Sequence, residues 1–167
     1  MGNYLSILLL SLAAALQSSV IPQVRILGGE PDLVFLVVLA WSVNAPLESG
    51  VLWAFVGGIT QNLLSAAPLG ASSLSLILLV FALDGLRRRV YRIGLPLLVL
   101  LVIFGSLFHQ ITSMLILGVV GFEIQWLDNL SYVVAPTIAY NLLFIWPVYW
   151  LIRRIQRRLA AGRQALT

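Results

Sequence analysis

Six long apolar segments follow one another along this chain, and proline or glycine stands near most of the boundaries between them. The segments span residues 4–21, 31–47, 48–66, 70–86, 95–120 and 129–152. A bilayer core about 30 Å thick is crossed by about 20 helical residues, within a range of roughly 17 to 25. The pattern therefore predicts an all-α, polytopic membrane protein that folds as a six-transmembrane-helix bundle.

Charged residues are too scarce for a soluble domain of this length. Only 10% of the 167 residues are charged and 60% are hydrophobic, whereas about 25% of residues are charged in soluble globular domains. Mean hydropathy is +1.02. Because there is no cysteine, disulfides, thiolate metal sites and cysteine nucleophiles are excluded. The first apolar segment lacks a preceding basic region, so it is interpreted as a transmembrane helix rather than as a signal peptide.

Arginine supplies the positive charge of the chain, and most of it falls in two clusters, at 87–92 and 153–163. The clusters follow the fourth and sixth segments, so a six-span bundle places both on one side of the membrane. By the positive-inside rule that side is cytoplasmic, and both termini are predicted to lie there. This interpretation is favoured over nucleic-acid binding. The residues predicted to lie at the membrane surface are Arg87, Arg88, Arg89, Arg92, Arg153, Arg154, Arg157 and Arg158.

The chain is accordingly divided into a six-span membrane domain at 1–152 and a basic cytoplasmic tail at 153–167. Around this boundary, Ile152, Ile155 and Leu159 share one helical face, and arginines occupy the other. That pattern predicts a short amphipathic helix that lies on anionic lipid headgroups.

Small and polar residues form a stripe along the third segment, and a similar stripe follows the first. Small residues allow close approach of another helix in the membrane. The amide side chains of Gln61 and Asn62 would cost free energy if they faced lipid. Two interpretations stay open, namely packing within the chain or an interface with a partner or ligand. The residues concerned are Gly50, Ala54, Gly57, Gly58, Gln61 and Asn62 on the third segment, and Ser11, Ala15 and Ser18 on the first.

Polar residues on the fifth and sixth segments predict a second cluster, composed of His109, Gln110, Tyr140 and Asn141. His109 is the only histidine, and a hydrogen-bonded structural role is favoured for it over a role as ligand or base. The sequence contains no HExxH zinc motif, no P-loop and no GxSxG elbow. We therefore expect no catalytic site, no metal site and no cofactor.

Four stretches of the chain together resemble the MreD family of bacterial rod shape-determining proteins. They are LQSSVIPQ near the end of the first segment, PDLVFLVVLAW at the start of the second, GGITQNLLSAAPLGASSLSL across the third and fourth, and PTIAYNLLFIWPVYWLIRRI in the sixth. The resemblance covers essentially the whole length. One departure is Asn62, because the family usually has aspartate at this position. Asparagine keeps the hydrogen bonding without the charge, which favours a structural role over proton transfer.

The resemblance implies a non-enzymatic scaffold in the bacterial inner membrane that takes part in lateral peptidoglycan synthesis. It implies MreC, a single-span protein, as a partner, together with RodA, the elongation penicillin-binding protein, MreB and membrane lipids. If the stripe on the third segment is the partner interface, Gly58→Leu is expected to weaken partner binding without unfolding the bundle.

The alternative is a solute-binding protein similar to the S-components of energy-coupling-factor transporters, a group to which the resemblance also implies a kinship of fold. In that case a pocket open to the outer side would be lined by Gln61, Asn62, His109, Gln110, Tyr140 and Asn141.

Overall fold

The computed structural model describes residues 2–19, 29–65, 68–87, 94–121 and 133–164. These residues form six α-helices, which coincide with the six apolar segments in order, so the predicted all-α fold is confirmed. The helices are α1 (Gly2–Ser19), α2 (Leu33–Asn44), α3 (Leu47–Leu63), α4 (Ala71–Arg87), α5 (Leu95–Val120) and α6 (Ala135–Gln164).

Two of these helices are long and apolar enough to cross a membrane unaided, over Pro96–Val120 and Ala135–Leu159. Two others, over Ser6–Ser19 and Leu33–Asn44, are apolar but shorter. At 1.5 Å per residue, α2 measures only about 18 Å, which is less than the thickness of a bilayer core. The division into six spans therefore stays a prediction.

Helix α2 is the centre of the bundle and packs against each of the other five helices. Around it, α1 contacts α3, α3 contacts α4, α4 contacts α5, and α5 contacts α6. Its sequence, LVFLVVLAWSVN, is apolar on every side, and nine of its 12 residues are buried. A helix that is hydrophobic all round needs protein or lipid on every face, and here its neighbours supply the protein.

Helices α3 and α4 approach each other closely because glycine stands at the contact. A Cβ atom added to Gly58 would overlap the backbone of Ser73, whose hydroxyl donates to the Phe55 carbonyl at 3.2 Å. At Gly50 an added Cβ would lie 2.9 Å from Val80. The expectation that Gly58→Leu spares the bundle is therefore wrong, since the space for any side chain is already filled by α4.

The remaining members of the third-segment stripe also lie inside the chain. A Cβ at Gly57 would meet Val34 at 3.0 Å and Leu10 at 3.2 Å, and Ala54 is fully buried. Glycine at this position thus lets α3 approach both α1 and α2. On these contacts the stripe packs α3 within the chain, the first of the two interpretations left open by the sequence.

The C-terminal end of α2 is capped by side chains from α4 and α6. Arg87 donates to the Ser42 carbonyl at 3.0 Å and to the Ala45 carbonyl, and the Gln156 amide donates to the Trp41 carbonyl at 3.1 Å. The last carbonyls of a helix have no partner inside the helix. Arg87 was expected at the membrane surface, but it is half-buried against these carbonyls. Three other members of its cluster, Arg88, Arg89 and Arg92, lie outside the described residues.

Helix α6 runs through the predicted boundary at 152–153 without a break, and it also continues past Pro147. Ile152 is buried, and Ile155 and Leu159 pack against the hydrophobic core. The prediction that this stretch lies flat on lipid headgroups is therefore wrong, because its apolar face is covered by the protein. Its arginine face, with Arg153, Arg154, Arg157 and Arg158, is exposed as expected.

Candidate functional site

Polar side chains from five of the six helices, or from the residue directly before one, meet at the end of the bundle where α2 begins. Asp32, which precedes α2, is the centre of this cluster and is buried. One of its carboxylate oxygens, Oδ1, accepts from the Phe35 amide at 3.0 Å, which is the bond of a helix N-cap. We call the cluster the Asp32 network; its members are Asp32, Gln61, Ser75, Ser106, His109, Ser113 and Asn141.

His109 from α5 is paired with the carboxylate of Asp32. Its Nε2 lies 3.3 Å from Asp32 Oδ2, and both side chains are buried. The imidazole also stacks on Phe35 with ring centroids 5.6 Å apart. A buried carboxylate must be hydrogen-bonded or paired, and the Nε2–H of the ring supplies that partner.

Ser75 from α4 completes the hydrogen bonding of the imidazole. Its Oγ lies 2.8 Å from His109 Nδ1 and 3.0 Å from the Ser72 carbonyl. With Nε2–H directed at Asp32, Nδ1 accepts a hydrogen bond from the Ser75 hydroxyl if the ring is neutral. If the ring is charged, Nδ1–H donates a hydrogen bond to the Ser75 oxygen. In the second case the hydroxyl donates to Ser72 instead. Rotation of one hydroxyl therefore satisfies either protonation state of His109.

Amide side chains complete the connections between helices. Gln61 Nε2 from α3 donates to Asp32 Oδ1 at 3.3 Å. The Asn141 side chain from α6 accepts from the Asp32 backbone amide at 2.9 Å and donates to Ser106 on α5 at 3.0 Å. Helix α1 joins the same region, because its Gln17 accepts from the Val34 amide at 3.2 Å. The first backbone amides of α2 are thus bonded by side chains from α1 and α6 as well as by Asp32 itself.

Asp32, His109 and Ser75 have the residue types of the catalytic triad of hydrolases. However, a substrate cannot reach the serine hydroxyl. The side chain of Ser75 is 0% exposed, and its hydroxyl also accepts from Ser113 Oγ at 3.1 Å. A nucleophile must reach a carbonyl carbon, with room for an oxyanion beside it. In this arrangement the three residues join helices, and they present no reactive atom to a substrate.

The structure brings together only part of the clusters predicted from sequence. His109 and Gln61 both lie against the Asp32 carboxylate, and Asn141 bonds to the Asp32 backbone amide. Gln110 and Tyr140 are half-buried on α5 and α6. Asp32 was not among the predicted site residues and appeared only within the stretch PDLVFLVVLAW. An acid directly before an apolar run is an N-cap signal, and that signal was present.

Asn62 lies outside the Asp32 network and has a separate role. It is buried, and its Nδ2 donates to the Pro68 carbonyl at 2.8 Å, which ties the end of α3 to the start of the chain leading into α4. Among the described residues, its Oδ1 has no hydrogen-bond partner. The amide donor is therefore the atom that this position uses, and an ionised carboxylate would place an acceptor against the Pro68 carbonyl.

We expect Asn62→Asp to lower the free energy of unfolding by about 1 to 3 kcal/mol, because it removes a buried donor and places a carboxylate oxygen against the Pro68 carbonyl. Thermal unfolding of the purified protein in detergent measures this change. Asn44→Asp is the matched control, since Asn44 is exposed and its contact with the Tyr149 hydroxyl is long at 3.5 Å. Equal effects of the two substitutions would contradict the role given to Asn62.

The small residues on α1 occupy a different environment from those on α3. Ser11, Ala15 and Ser18 are all exposed, and Leu8 and Leu12 lie exposed beside them. Ser18 Oγ donates to the Ala15 carbonyl within the helix, at 3.1 Å. The two stripes predicted from sequence are therefore unlike, because one packs inside the bundle and the other forms part of its surface.

Comparison with known proteins gives one match, which covers nearly all of the chain. The family model described as rod shape-determining protein MreD matches residues 1–159. Neither the curated proteins nor the solved structures gave a match. The matched range includes Asp32, His109 and Asn141, together with all six helices up to residue 159 of α6. This chain therefore belongs to the MreD family, whose role is the determination of rod shape.

Proposed function

We propose that this protein is a non-enzymatic scaffold of the cell-elongation machinery that spans the bacterial inner membrane six times. Both termini lie in the cytoplasm, and the Asp32 network lies at the outer end of the bundle. The partner proposed first is MreC, through its membrane helix. Contacts with RodA, the elongation penicillin-binding protein and MreB are part of the same proposal.

The observation that carries this proposal is the internal use of the polar side chains in the Asp32 network. His109, Asn141 and Gln61 bond to Asp32 or its backbone, and Asn141 bonds further to Ser106. A solute pocket needs polar groups directed at its ligand, whereas these groups are directed at one another. The contacts therefore favour a rigid bundle with an outer surface for partners over an S-component-like binder.

The exposed face of α1 supports a place for the partner helix. Helices associate in lipid through close packing and interhelical hydrogen bonds rather than through the hydrophobic effect. Ser11 and Ala15 lie one turn apart and exposed, so they let a second backbone approach. The α3 stripe offers no such place, since α4 and α2 already cover it.

Native mass spectrometry of the tagged protein, released gently from its own membranes, tests the scaffold directly. We expect a complex with a single-span protein that has a large extracytoplasmic domain. Recovery with a small solute, or with a coupling subunit and two ATPases, would instead support the transporter alternative.

We expect Ala15→Phe to reduce the amount of MreC recovered with the protein by about tenfold, equivalent to roughly 1.4 kcal/mol, because the larger side chain separates the two helices. The matched control is Ala82→Phe, which enlarges an exposed alanine on α4. Both variants should keep the unfolding temperature of the parent. Undiminished recovery with Ala15→Phe would exclude α1 as the partner surface.

A further inference from the structure

A groove of about 500 Å³ lies on the C-terminal part of α6, and it is lined by Trp150, Arg153, Arg154, Arg157 and Arg158. We propose that this groove binds the headgroup of an anionic phospholipid with two phosphates, of the cardiolipin type, in the cytoplasmic leaflet. The inference goes beyond the scaffold function and uses only its proposed orientation in the membrane.

The arginines stand on a helix that the protein holds in place. On the opposite side of this stretch, Ile152 is 1% exposed, and Ile155 and Leu159 pack against the core. The Gln156 amide between them donates to the Trp41 carbonyl at the end of α2. The guanidinium groups are therefore presented on a fixed scaffold, which distinguishes this groove from a flexible basic tail that only attracts anionic membranes.

The charge of the groove is not neutralised by carboxylates in the part of the chain that the structure describes. No carboxylate among the described residues forms an ion pair with any of the four arginines, and all four are exposed. Arg154 lies over the Trp150 ring, with its guanidinium carbon 5.2 Å from the centroid. Guanidinium groups bind phosphate oxygens with paired hydrogen bonds, and four of them in one groove offer two guanidinium groups to each of two phosphodiesters.

An apolar surface for acyl chains continues from the groove along the same helix. Leu143, Trp146 and Trp150 are 69%, 58% and 62% exposed. At 3.6 residues per turn, positions 143, 150, 154 and 157 fall on nearly one line along α6. A phosphate held by Arg154 and Arg157 thus has its acyl chains beside Trp150 and Leu143, in the direction of the membrane core.

The apolar surface that adjoins the arginines favours a lipid over an acidic protein segment as the occupant. An acidic peptide would use the arginines but would leave the neighbouring tryptophan and leucine side chains uncovered. Tryptophan is enriched where a membrane protein meets the headgroup layer. Basic pockets on the cytoplasmic side of membrane helices are suited to headgroups of the cardiolipin type.

The test is a lipid titration of the full chain in mild detergent, followed by native mass spectrometry. Cardiolipin, phosphatidylglycerol and phosphatidylcholine are the probes. We expect one cardiolipin to be retained per protein, with at least about tenfold tighter binding than for phosphatidylglycerol, since a second phosphate adds charge-assisted hydrogen bonds. Equal binding of the two anionic lipids would overturn the two-phosphate assignment, and preferential retention of phosphatidylcholine would overturn the site.

Matched charge variants separate a built site from general surface charge. We expect Arg154→Gln to weaken cardiolipin binding by about tenfold, the loss associated with a charge-assisted contact, and Gly85→Glu to change it by less than about twofold. Both lower the net charge by one, and Gly85 is an exposed residue of α4 outside the groove, where a side chain meets no atom within 4 Å. Neither variant should lower the unfolding temperature of the lipid-free protein. Equal weakening by the two variants would overturn the proposal. Displacement of cardiolipin by an equimolar polyglutamate peptide would also overturn it, in favour of an acidic protein partner.

Discussion

Asp32→Ala is expected to destabilise the protein by about 3 to 5 kcal/mol, because it removes a helix N-cap and leaves two side-chain donors without their acceptor. The substitution deletes the helix cap at Phe35 and the acceptors for His109 and Gln61 in one step. Because α2 contacts every other helix, the loss at its first turn affects the whole bundle. The measurement is the free energy of unfolding in detergent, by thermal or denaturant titration.

The control for Asp32→Ala is Glu48→Ala, which removes an exposed acid from the first turn of α3. Its effect should stay below about 1 kcal/mol, as for an exposed charge at a helix terminus. Adding His109→Leu to Asp32→Ala should recover part of the loss, because the buried imidazole that has lost its carboxylate partner is then removed as well. An Asp32→Ala protein as stable as the parent would show that the network does not support the fold.

The sequence was sufficient to predict the helices but not the role of α2. Each apolar segment has its own length and its own proline or glycine boundaries, so the succession of helices can be read locally. The position of α2 depends on which neighbours cover it, and those neighbours are distant in the chain. Asp32 and Asn141, for example, are 109 residues apart. No local pattern joins such residues, although the uniform apolarity of α2 is itself typical of a buried helix.

The same limit applies to the C-terminal part of α6. Periodicity correctly placed Ile152, Ile155 and Leu159 on one face and the arginines on the other. It did not indicate what covers the apolar face, and both lipid and protein satisfy an apolar surface. In the structure this apolar face packs against the hydrophobic core of the protein, and Gln156 bonds to the end of α2. The arginine face thereby becomes a fixed surface.

Gly58→Ala is expected to lower the free energy of unfolding by about 1 to 3 kcal/mol, the usual range for overpacking. The new methyl group would overlap the backbone of Ser73, so α3 and α4 must separate. Separation also strains the bond from the Ser73 hydroxyl to the Phe55 carbonyl. A backbone cannot move aside as a flexible side chain can, which makes this position less tolerant than Gly57, where the neighbouring atoms belong to side chains.

Gly85→Ala on α4 is the matched control for Gly58→Ala, because a methyl group there meets no atom within 4 Å. Alanine favours helix over glycine by about 1 kcal/mol, so the control should be neutral or stabilising. In the same detergent, Gly58→Ala should therefore lower the unfolding temperature, and Gly85→Ala should leave it unchanged or raise it. Cells that carry Gly58→Ala should lose rod shape together with protein abundance, since the defect lies in folding. A stable, abundant Gly58→Ala protein that fails only to bind MreC would instead return the α3 stripe to the role of a partner interface.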